Sequence, residues 1–96
     1  MWLNIEGFDW DNPEDPNGNV AHIACHEIIL EEVEEVFEED LIVRRGRKGY
    51  RLAYGQTCAG RYLVVVFIIK PGNTLRVVTA REMDEMEKQY YRRERR

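Results

Sequence analysis

The most apolar stretch of the chain is residues 62–69, where β-branched and aromatic residues follow one another without alternation. This pattern is typical of a central strand that is covered on both faces. The turn formers at residues 71–73 and the alternating residues 74–79 predict that the next strand returns beside it. Two shorter apolar segments, residues 41–43 and 50–54, predict a hairpin before these strands. Together they predict a four-stranded antiparallel meander.

The first half of the chain predicts a short strand followed by two helices. Residues 8–10 indicate the strand, and residues 11–19, which contain two prolines, indicate a loop. A short helix is predicted from residue 20 to residue 25 or 26. A second, acidic helix is predicted because apolar residues recur at i, i+3 and i+7, at Leu30, Val33 and Phe37. We therefore expect this helix to pack one apolar face against the core of the protein.

A third helix is predicted at the C-terminus. Thr79-Ala80-Arg81-Glu82 has the spacing of a capping box, so we expect the helix to begin there. Met83, Met86 and Tyr90 recur on one face. Arginines near the end complement the negative end of the helix dipole, namely Arg92, Arg93, Arg95 and Arg96.

The elements together predict an α+β fold in one domain spanning residues 1–96. Its sheet has four antiparallel strands plus a short N-terminal strand, and it carries two N-terminal helices and one C-terminal helix. A chain of 96 residues is long enough to build a core without disulfides or metals. We therefore expect a single core.

The acidic and basic residues are separated along the chain. The acidic part contains the predicted first strand and first two helices, and the basic part contains the predicted meander and last helix. The first 40 residues carry 13 acidic residues and no Lys or Arg, whereas the remaining 56 carry 14 basic and 5 acidic residues. The second half alone can attract a polyanion such as RNA. Basic residues are densest in the predicted hairpin, at Arg44, Arg45, Arg47, Lys48 and Arg51, which are candidate RNA-binding residues. The open alternative is that they neutralise the acidic helices of the same chain or of a second copy.

Cysteine usage and the N-terminal residues predict a cytoplasmic protein. Cys25 and Cys58 fit cytosolic thiols, and the first residues lack the basic region and apolar run of a secretory signal. The longest apolar run is too short to span a bilayer, so no membrane partner is expected. His22 and His26 could share a metal ion on a continuous helix, but no further ligands are evident. We expect no metal and no cofactor.

Several motifs occur along the chain in a fixed order. The clearest begins with Gly60-Arg61-Tyr62-Leu63 and continues through residues 75–81, Leu-Arg-Val-Val-Thr-Ala-Arg, to Glu87 and Tyr91. Residues 19–26 and the opening Phe8-Asp9-Trp10-Asp11 form two further motifs. In this combination the chain resembles the BrnT family of bacterial type II toxins, which are ribonucleases with a RelE-like fold. The chain departs from that family at Cys25 and Glu27, where Lys and Gly are common, and at Ile29, where a Ser or Thr often caps the second helix. The loop at residues 11–18 is also longer than is usual in the family.

The resemblance implies a toxin-type endoribonuclease that is neutralised by a cognate, BrnA-like antitoxin. In that reaction a ribose 2′-hydroxyl attacks the neighbouring phosphate without a metal ion, which requires a proton acceptor, a proton donor and cations on the phosphate. The resemblance assigns the phosphate to guanidinium groups, which offer paired donors. The candidate catalytic residues are Arg61, Arg76, Arg81, His26, Glu87 and Tyr91. We expect the three arginines to open onto one concave surface.

Alternatives to these assignments stay open at the level of sequence. Each arginine could instead pair with a glutamate such as Glu82 or Glu87, and Tyr91 could simply pack the last helix against the sheet. His26 could be a helix-end histidine bonded to the backbone. A second hypothesis for the whole chain is a non-catalytic protein-binding module on the same fold, a degenerate or orphan toxin. Assembly as a homodimer within a toxin–antitoxin complex is also left open.

Overall fold

A five-stranded mixed sheet forms the centre of the molecule. The computed structural model describes residues 5–38 and 40–95. The strands lie in the spatial order β1-β5-β4-β3-β2, where β1 is Gly7–Asp9, β2 is Ile42–Arg45, β3 is Arg51–Gln56, β4 is Tyr62–Lys70 and β5 is Thr74–Glu82. Strands β2 to β5 form an antiparallel meander, and β1 pairs with β5 in parallel. The predicted α+β class is confirmed, with a sheet that is mixed rather than antiparallel throughout.

The long connection between β1 and β5 allows these two strands to pair in parallel. Both N-terminal helices and the first three strands of the meander separate β1 from β5 along the chain. A connection of that length can bring the chain back in either direction, whereas a short turn allows only antiparallel neighbours. The N-terminal strand therefore completes the sheet at the β5 edge, where the sequence alone gave no direction for its pairing.

Three α-helices occur in the described residues, namely α1 (Asn19–Ala24), α2 (Leu30–Val36) and α3 (Glu85–Glu94). Both α1 and α2 are too short to be stable in isolation, so they depend on the apolar residues that they bury. Ile23 of α1 and both Val33 and Val36 of α2 are fully buried. No helix within residues 5–38 and 40–95 combines the length and the apolar character needed to cross a bilayer.

The C-terminal helix begins later than the sequence predicts. Ala80 and Arg81 pair with Val65 and Val64 of β4, so β5 extends through the segment that resembled a capping box. The capping box lies just beyond it. Asp84 is the N-cap, its side chain accepts the N–H of Glu87, and the Glu87 carboxylate accepts the N–H of Asp84. The predicted start at residue 79 is wrong because sheet pairing takes the residues that could have capped a helix.

The late start also changes the apolar face that was predicted for this helix. Met83 precedes α3 and is buried, but Met86 is 80% exposed. Arg96 lies outside the described residues.

Two apolar clusters lie on opposite faces of the sheet, where the sequence predicted a single core. The larger cluster packs against α1 and α2 and includes Ile23, Val33, Phe37, Leu63, Val65, Phe67, Leu75 and Val77. The smaller one packs against α3 and consists of Tyr54, Val64, Met83 and Tyr91. We call the face that carries the larger cluster the α2 face of the sheet, and the face that carries the smaller cluster the α3 face. Successive residues of β4 enter opposite clusters, which explains its unbroken apolar run.

Candidate functional site

Arg61 lies on the α2 face and is held by three acceptors. Its Nη1 donates to both carboxylate oxygens of Glu32 at 2.9 Å and to the main-chain oxygen of Glu27 at 3.0 Å. Its Nε and Nη2 donate to Oε2 of Glu82 at 3.2 and 2.8 Å. The hydrogen bonds that Arg61 donates to Glu32, foremost, and to Glu82 raise the pKa of Arg61. The guanidinium therefore ties the α1–α2 connection and α2 to the end of β5.

Arg76 lies at the opposite end of β5, beside β1. Its Nη1 and Nη2 donate to the Asp11 carboxylate at 3.1 and 2.9 Å, and Nη1 lies 3.4 Å from Oδ2 of Asp9. Asp9 also accepts from Lys70 at 2.7 Å. The Lys70 hydrogen bond is the main cause that lowers the pKa of Asp9, and the Arg76 hydrogen bond is the main cause for Asp11. Two cations and two carboxylates thus fasten β1 and the following loop to the sheet.

Arg81 lies on the α3 face and forms a bidentate ion pair with Glu87. Its Nη1 and Nη2 donate to the two carboxylate oxygens at 2.7 and 2.8 Å. The Arg81 hydrogen bond is the main cause that lowers the pKa of Glu87, and Glu87 in turn raises the pKa of Arg81. Two of the candidate catalytic residues are therefore in direct contact.

Tyr91 and His26 do not join this pair. Tyr91 is 1% exposed, and its hydroxyl donates to the main-chain oxygen of Asp40 at 2.6 Å, which leaves it inaccessible to a substrate. His26 is exposed in the turn after α1, with its ring centroid 5.5 Å from that of His22. The Nε2 atom of His22 lies 3.0 Å from Oγ1 of Thr79, two residues before Arg81 on β5. Among the described residues, neither imidazole forms a hydrogen bond with Arg81 or Glu87.

The three candidate arginines do not open onto one surface. Arg61 faces α2 and Arg81 faces α3, whereas Arg76 is five residues before Arg81 on β5, a separation of roughly 15 Å along a strand. The expected shared anion pocket is wrong. Carboxylates from elsewhere in the fold compensate each guanidinium separately, and among the candidate catalytic residues the described structure brings only Arg81 and Glu87 into hydrogen-bond contact.

The basic hairpin is different, because its cations have no carboxylate partner among the described residues. No ion pair within residues 5–38 and 40–95 involves the five candidate RNA-binding residues, Arg44, Arg45, Arg47, Lys48 and Arg51. The hairpin closes through hydrogen bonds from Gly46 N–H to the Tyr50 oxygen and from Tyr50 N–H to the Arg47 oxygen. Its charge is therefore presented to solvent.

Adjacent residues of the hairpin point to opposite faces of the sheet. Arg44 pairs with Leu52 and extends over the ring of Tyr90 in α3, with Cζ 5.1 Å from the ring centroid. Arg45 pairs with Arg51, so these two side chains share the α2 face. The hairpin thus contributes Arg44 to the α3 face, and the tip residues Arg47 and Lys48 are exposed.

Helix α3 adds cations to the same face, and they also lie over tyrosine rings. Arg92 and Lys88 lie 5.0 and 5.7 Å from the centroid of the Tyr62 ring, and Arg93 lies 5.8 Å from that of Tyr90. Arg92 Nε also donates to the Tyr62 hydroxyl at 3.3 Å, which lowers the pKa of Tyr62. An aromatic ring holds in place the guanidinium that lies over it. The N–H donors at the edges of the guanidinium remain available.

This arrangement of tyrosines and cations was not predicted from the sequence, where the C-terminal arginines are assigned only to the helix dipole. The available signal was the helical spacing, since Tyr90 and Arg93 are three residues apart and Lys88 and Arg92 are four apart, so each pair lies on one side of a helix. The pairing of Arg44 with Tyr90 depends on tertiary structure and left no signal in the sequence.

Within residues 5–38 and 40–95, no group of three or more His, Cys, Asp or Glu residues is arranged to hold a metal ion. Comparisons with protein-family models, curated proteins and solved structures find no match for this chain. The fold and the surface define an α+β domain in which the hairpin cations have no carboxylate partner among the described residues, whereas Arg61, Arg76, Arg81 and Arg93 each pair with a carboxylate. The resemblance to the BrnT family stays a prediction that depends on the motifs.

Proposed function

We propose that this protein binds single-stranded RNA through its α3 face. The observation that carries the proposal is the pair of cations, Arg44 from the hairpin and Arg93 from α3, that lie over the same Tyr90 ring and join two basic segments into one surface. Sequence-independent binding of single strands combines a cationic groove for the backbone with aromatic rings for the bases. Both components lie together here.

The distribution of acidic residues favours one binding face over the other. The solvent side of α2 carries Glu31, Glu34 and Glu35, and this helix covers the α2 face. An RNA backbone would be repelled from that side and attracted to the other, so the charge split orients the ligand even though the net charge is −4. The cytoplasmic location predicted from the sequence fits such a ligand.

The endoribonuclease activity implied by the resemblance is a second candidate, and one observation favours it. Arg81 and Glu87 form their ion pair on the same face as the proposed RNA site. A guanidinium there could bind the phosphate while the carboxylate accepts the 2′-hydroxyl proton. However, the Arg81 hydrogen bond lowers the pKa of Glu87, which makes it a weaker base, so the contacts support binding more strongly than cleavage.

The binding proposal is tested by titrating a labelled single-stranded RNA of about ten nucleotides at several salt concentrations. The matched variants are Arg44→Gln and Arg45→Gln, which remove one charge each from neighbouring positions on opposite faces of β2. Arg44→Gln is expected to weaken binding and to reduce the slope of log K against log salt by about 0.7, as for one lost phosphate contact. Arg45→Gln is expected to change both much less. Equal effects of the two variants, or no binding by the wild type, would reject the proposal.

Cleavage is tested separately by incubating messenger RNA with the wild type and with Arg81→Ala in EDTA. Cutting by the wild type that Arg81→Ala abolishes would support the toxin-type, metal-independent endoribonuclease. Intact RNA would reject cleavage and leave binding in place. A cognate acidic antitoxin would use the same face through charge complementarity, whereas the non-catalytic protein-binding module of the second hypothesis would dock a basic partner through the acidic first half of the chain. Displacement of labelled RNA by the antitoxin, at equal stoichiometry, is the corresponding measurement.

A further inference from the structure

A groove with an apolar floor lies at the hairpin end of the α3 face. It has a volume of about 410 Å³ and is lined by Gly46, Arg47, Lys48, Tyr50, Leu52 and Val66. This volume is within the ~300–1,000 Å³ that is usual for small-ligand sites. Leu52 and Val66 pair across β3 and β4, on the same side of the sheet as Val64. This is the Tyr50 groove.

The groove is open because residue 46 has no side chain. A Cβ atom at Gly46 would lie 2.9 Å from Cδ1 of Leu52 and 3.2 Å from the main-chain oxygen of Tyr50. Tyr50 itself is 41% exposed, although most tyrosines in this chain pack against a neighbouring ring or cation. Within the described residues its ring has no such contact. An aromatic surface is therefore available beside an apolar floor.

The rim of the groove is positive, and the part of the chain that the structure describes contributes no acidic residue to its lining. Arg47 and Lys48 are both exposed, and neither takes part in an ion pair within residues 5–38 and 40–95. Lys48 adopts a left-handed conformation with φ 55°, and Gly49 follows with φ 83°, which sets the shape of the tip. The occupant that complements such a groove has a flat apolar part and at least one negative charge close to it.

We propose that the Tyr50 groove holds one unpaired base of the bound RNA, stacked on Tyr50, with the neighbouring phosphates on Arg47 and Lys48. This inference rests on the proposed function, because it assigns a base position to the RNA that the α3 face binds. A nucleotide unit has the required combination of a flat ring and an adjacent phosphate. Duplex RNA lacks an unpaired base and would leave the groove empty.

The test compares Tyr50→Ala with the matched Tyr50→Phe, which keeps the ring. Binding is measured with a short single-stranded RNA that carries 2-aminopurine at each position in turn, and circular dichroism checks that both variants are folded. Tyr50→Ala is expected to raise the Kd by about five- to 100-fold and to abolish the quenching of one 2-aminopurine. Tyr50→Phe is expected to stay within about twofold of the wild type. Inorganic polyphosphate, which has no bases, is expected to bind all three proteins equally.

The outcomes separate this inference from the proposed function. Wild-type protein that fails to bind RNA would reject the proposed function, and the inference with it. RNA binding that Tyr50→Ala leaves unchanged would reject only the inference. An equal loss of polyphosphate binding in Tyr50→Ala would also overturn it, because the ring would then act through the fold and not through a base. Tighter binding of an acidic peptide that contains tyrosine, lost in Tyr50→Ala, would assign the groove to a protein partner instead.

Discussion

Arg61 and Arg81 lie on opposite faces of the sheet. Arg61 donates to Glu32 of α2, and Arg81 donates to Glu87 of α3. The register explains the separation, because Arg81 and Glu82 are neighbours on β5 and therefore point to opposite sides, and it is Glu82 that accepts from Arg61. Two arginines that the resemblance assigns to one phosphate are thus separated by the thickness of the sheet.

Arg61 is therefore expected to contribute to stability and not to RNA binding. Arg61→Ala should lower the free energy of unfolding by about 1–2 kcal/mol, since it removes several charge-assisted hydrogen bonds from partly solvated partners that screen the interaction. The measurement is urea unfolding together with RNA titration. Arg45→Ala is the control, because an exposed arginine without an ion pair among the described residues should change stability by less than about 0.5 kcal/mol. A folded Arg61→Ala protein with strongly weakened RNA binding would contradict this assignment.

Tyr91 is expected to act as a structural residue. Tyr91→Phe removes the hydrogen bond from the buried hydroxyl to the Asp40 oxygen and should lower the free energy of unfolding by about 1 kcal/mol. Tyr90→Phe is the matched control on the same helix. It keeps the ring that contacts Tyr54 and Arg44, so it should change stability little. Thermal or urea unfolding measures the difference, and a change in RNA affinity by Tyr91→Phe at unchanged stability would be evidence against the structural role.

The sequence predicts the elements well because hydrophobic periodicity reports which side of an element is buried. The unbroken apolar run of β4 and the spacing of Val33 in α2 both correspond to faces that the fold buries. The same information does not say which element covers a face. Thr79 to Glu82 is compatible with a helix start and with a strand, and pairing of Ala80 with Val65 decides for the strand.

The candidate site was harder to predict for a related reason. Local charge density identifies the hairpin as basic, and the hairpin cations are indeed without carboxylate partners among the described residues. The pairing of Arg76 with Asp11 joins residues 65 positions apart along the chain, and that of Arg61 with Glu32 joins residues 29 positions apart. Such contacts depend on register and on side-chain direction, which a single sequence leaves undetermined.

The pairing around Arg76 should make stability depend on pH in the acidic range. The pKa values of Asp9 and Asp11 are lowered in the folded protein, by Lys70 and by Arg76 respectively. A carboxylate with a lowered folded pKa stabilises the fold above its unfolded pKa, about 3.9 for Asp, and this contribution is lost as the pH falls through the folded value. Stability is therefore expected to fall with decreasing pH below about pH 4.

The variant that isolates this effect is Arg76→Gln. The Asp11 carboxylate should titrate closer to its ordinary pKa, whereas Lys70 continues to lower the pKa of Asp9. The variant should therefore be less stable than the wild type at about pH 6 and closer to it in stability at about pH 2.5. Urea unfolding at both pH values measures the two differences. Arg45→Gln serves as the control, since Arg45 has no carboxylate partner among the described residues. The difference in stability between this variant and the wild type should not change with pH in this way. A constant difference for Arg76→Gln would show that these ion pairs do not control acid stability.

The turn between α1 and α2 offers a stabilising substitution. Glu27 has φ 61°, and its main-chain oxygen accepts from Arg61 at 3.0 Å. A left-handed conformation costs an L-residue roughly 1–2 kcal/mol, and glycine avoids this cost but loses roughly 0.5–1 kcal/mol in conformational entropy. Glu27→Gly is therefore expected to raise the free energy of unfolding by about 0.5–1 kcal/mol. Glu27→Ala removes the same charge and keeps the strain, so an equal gain in both variants would attribute the effect to charge and refute the explanation by backbone strain.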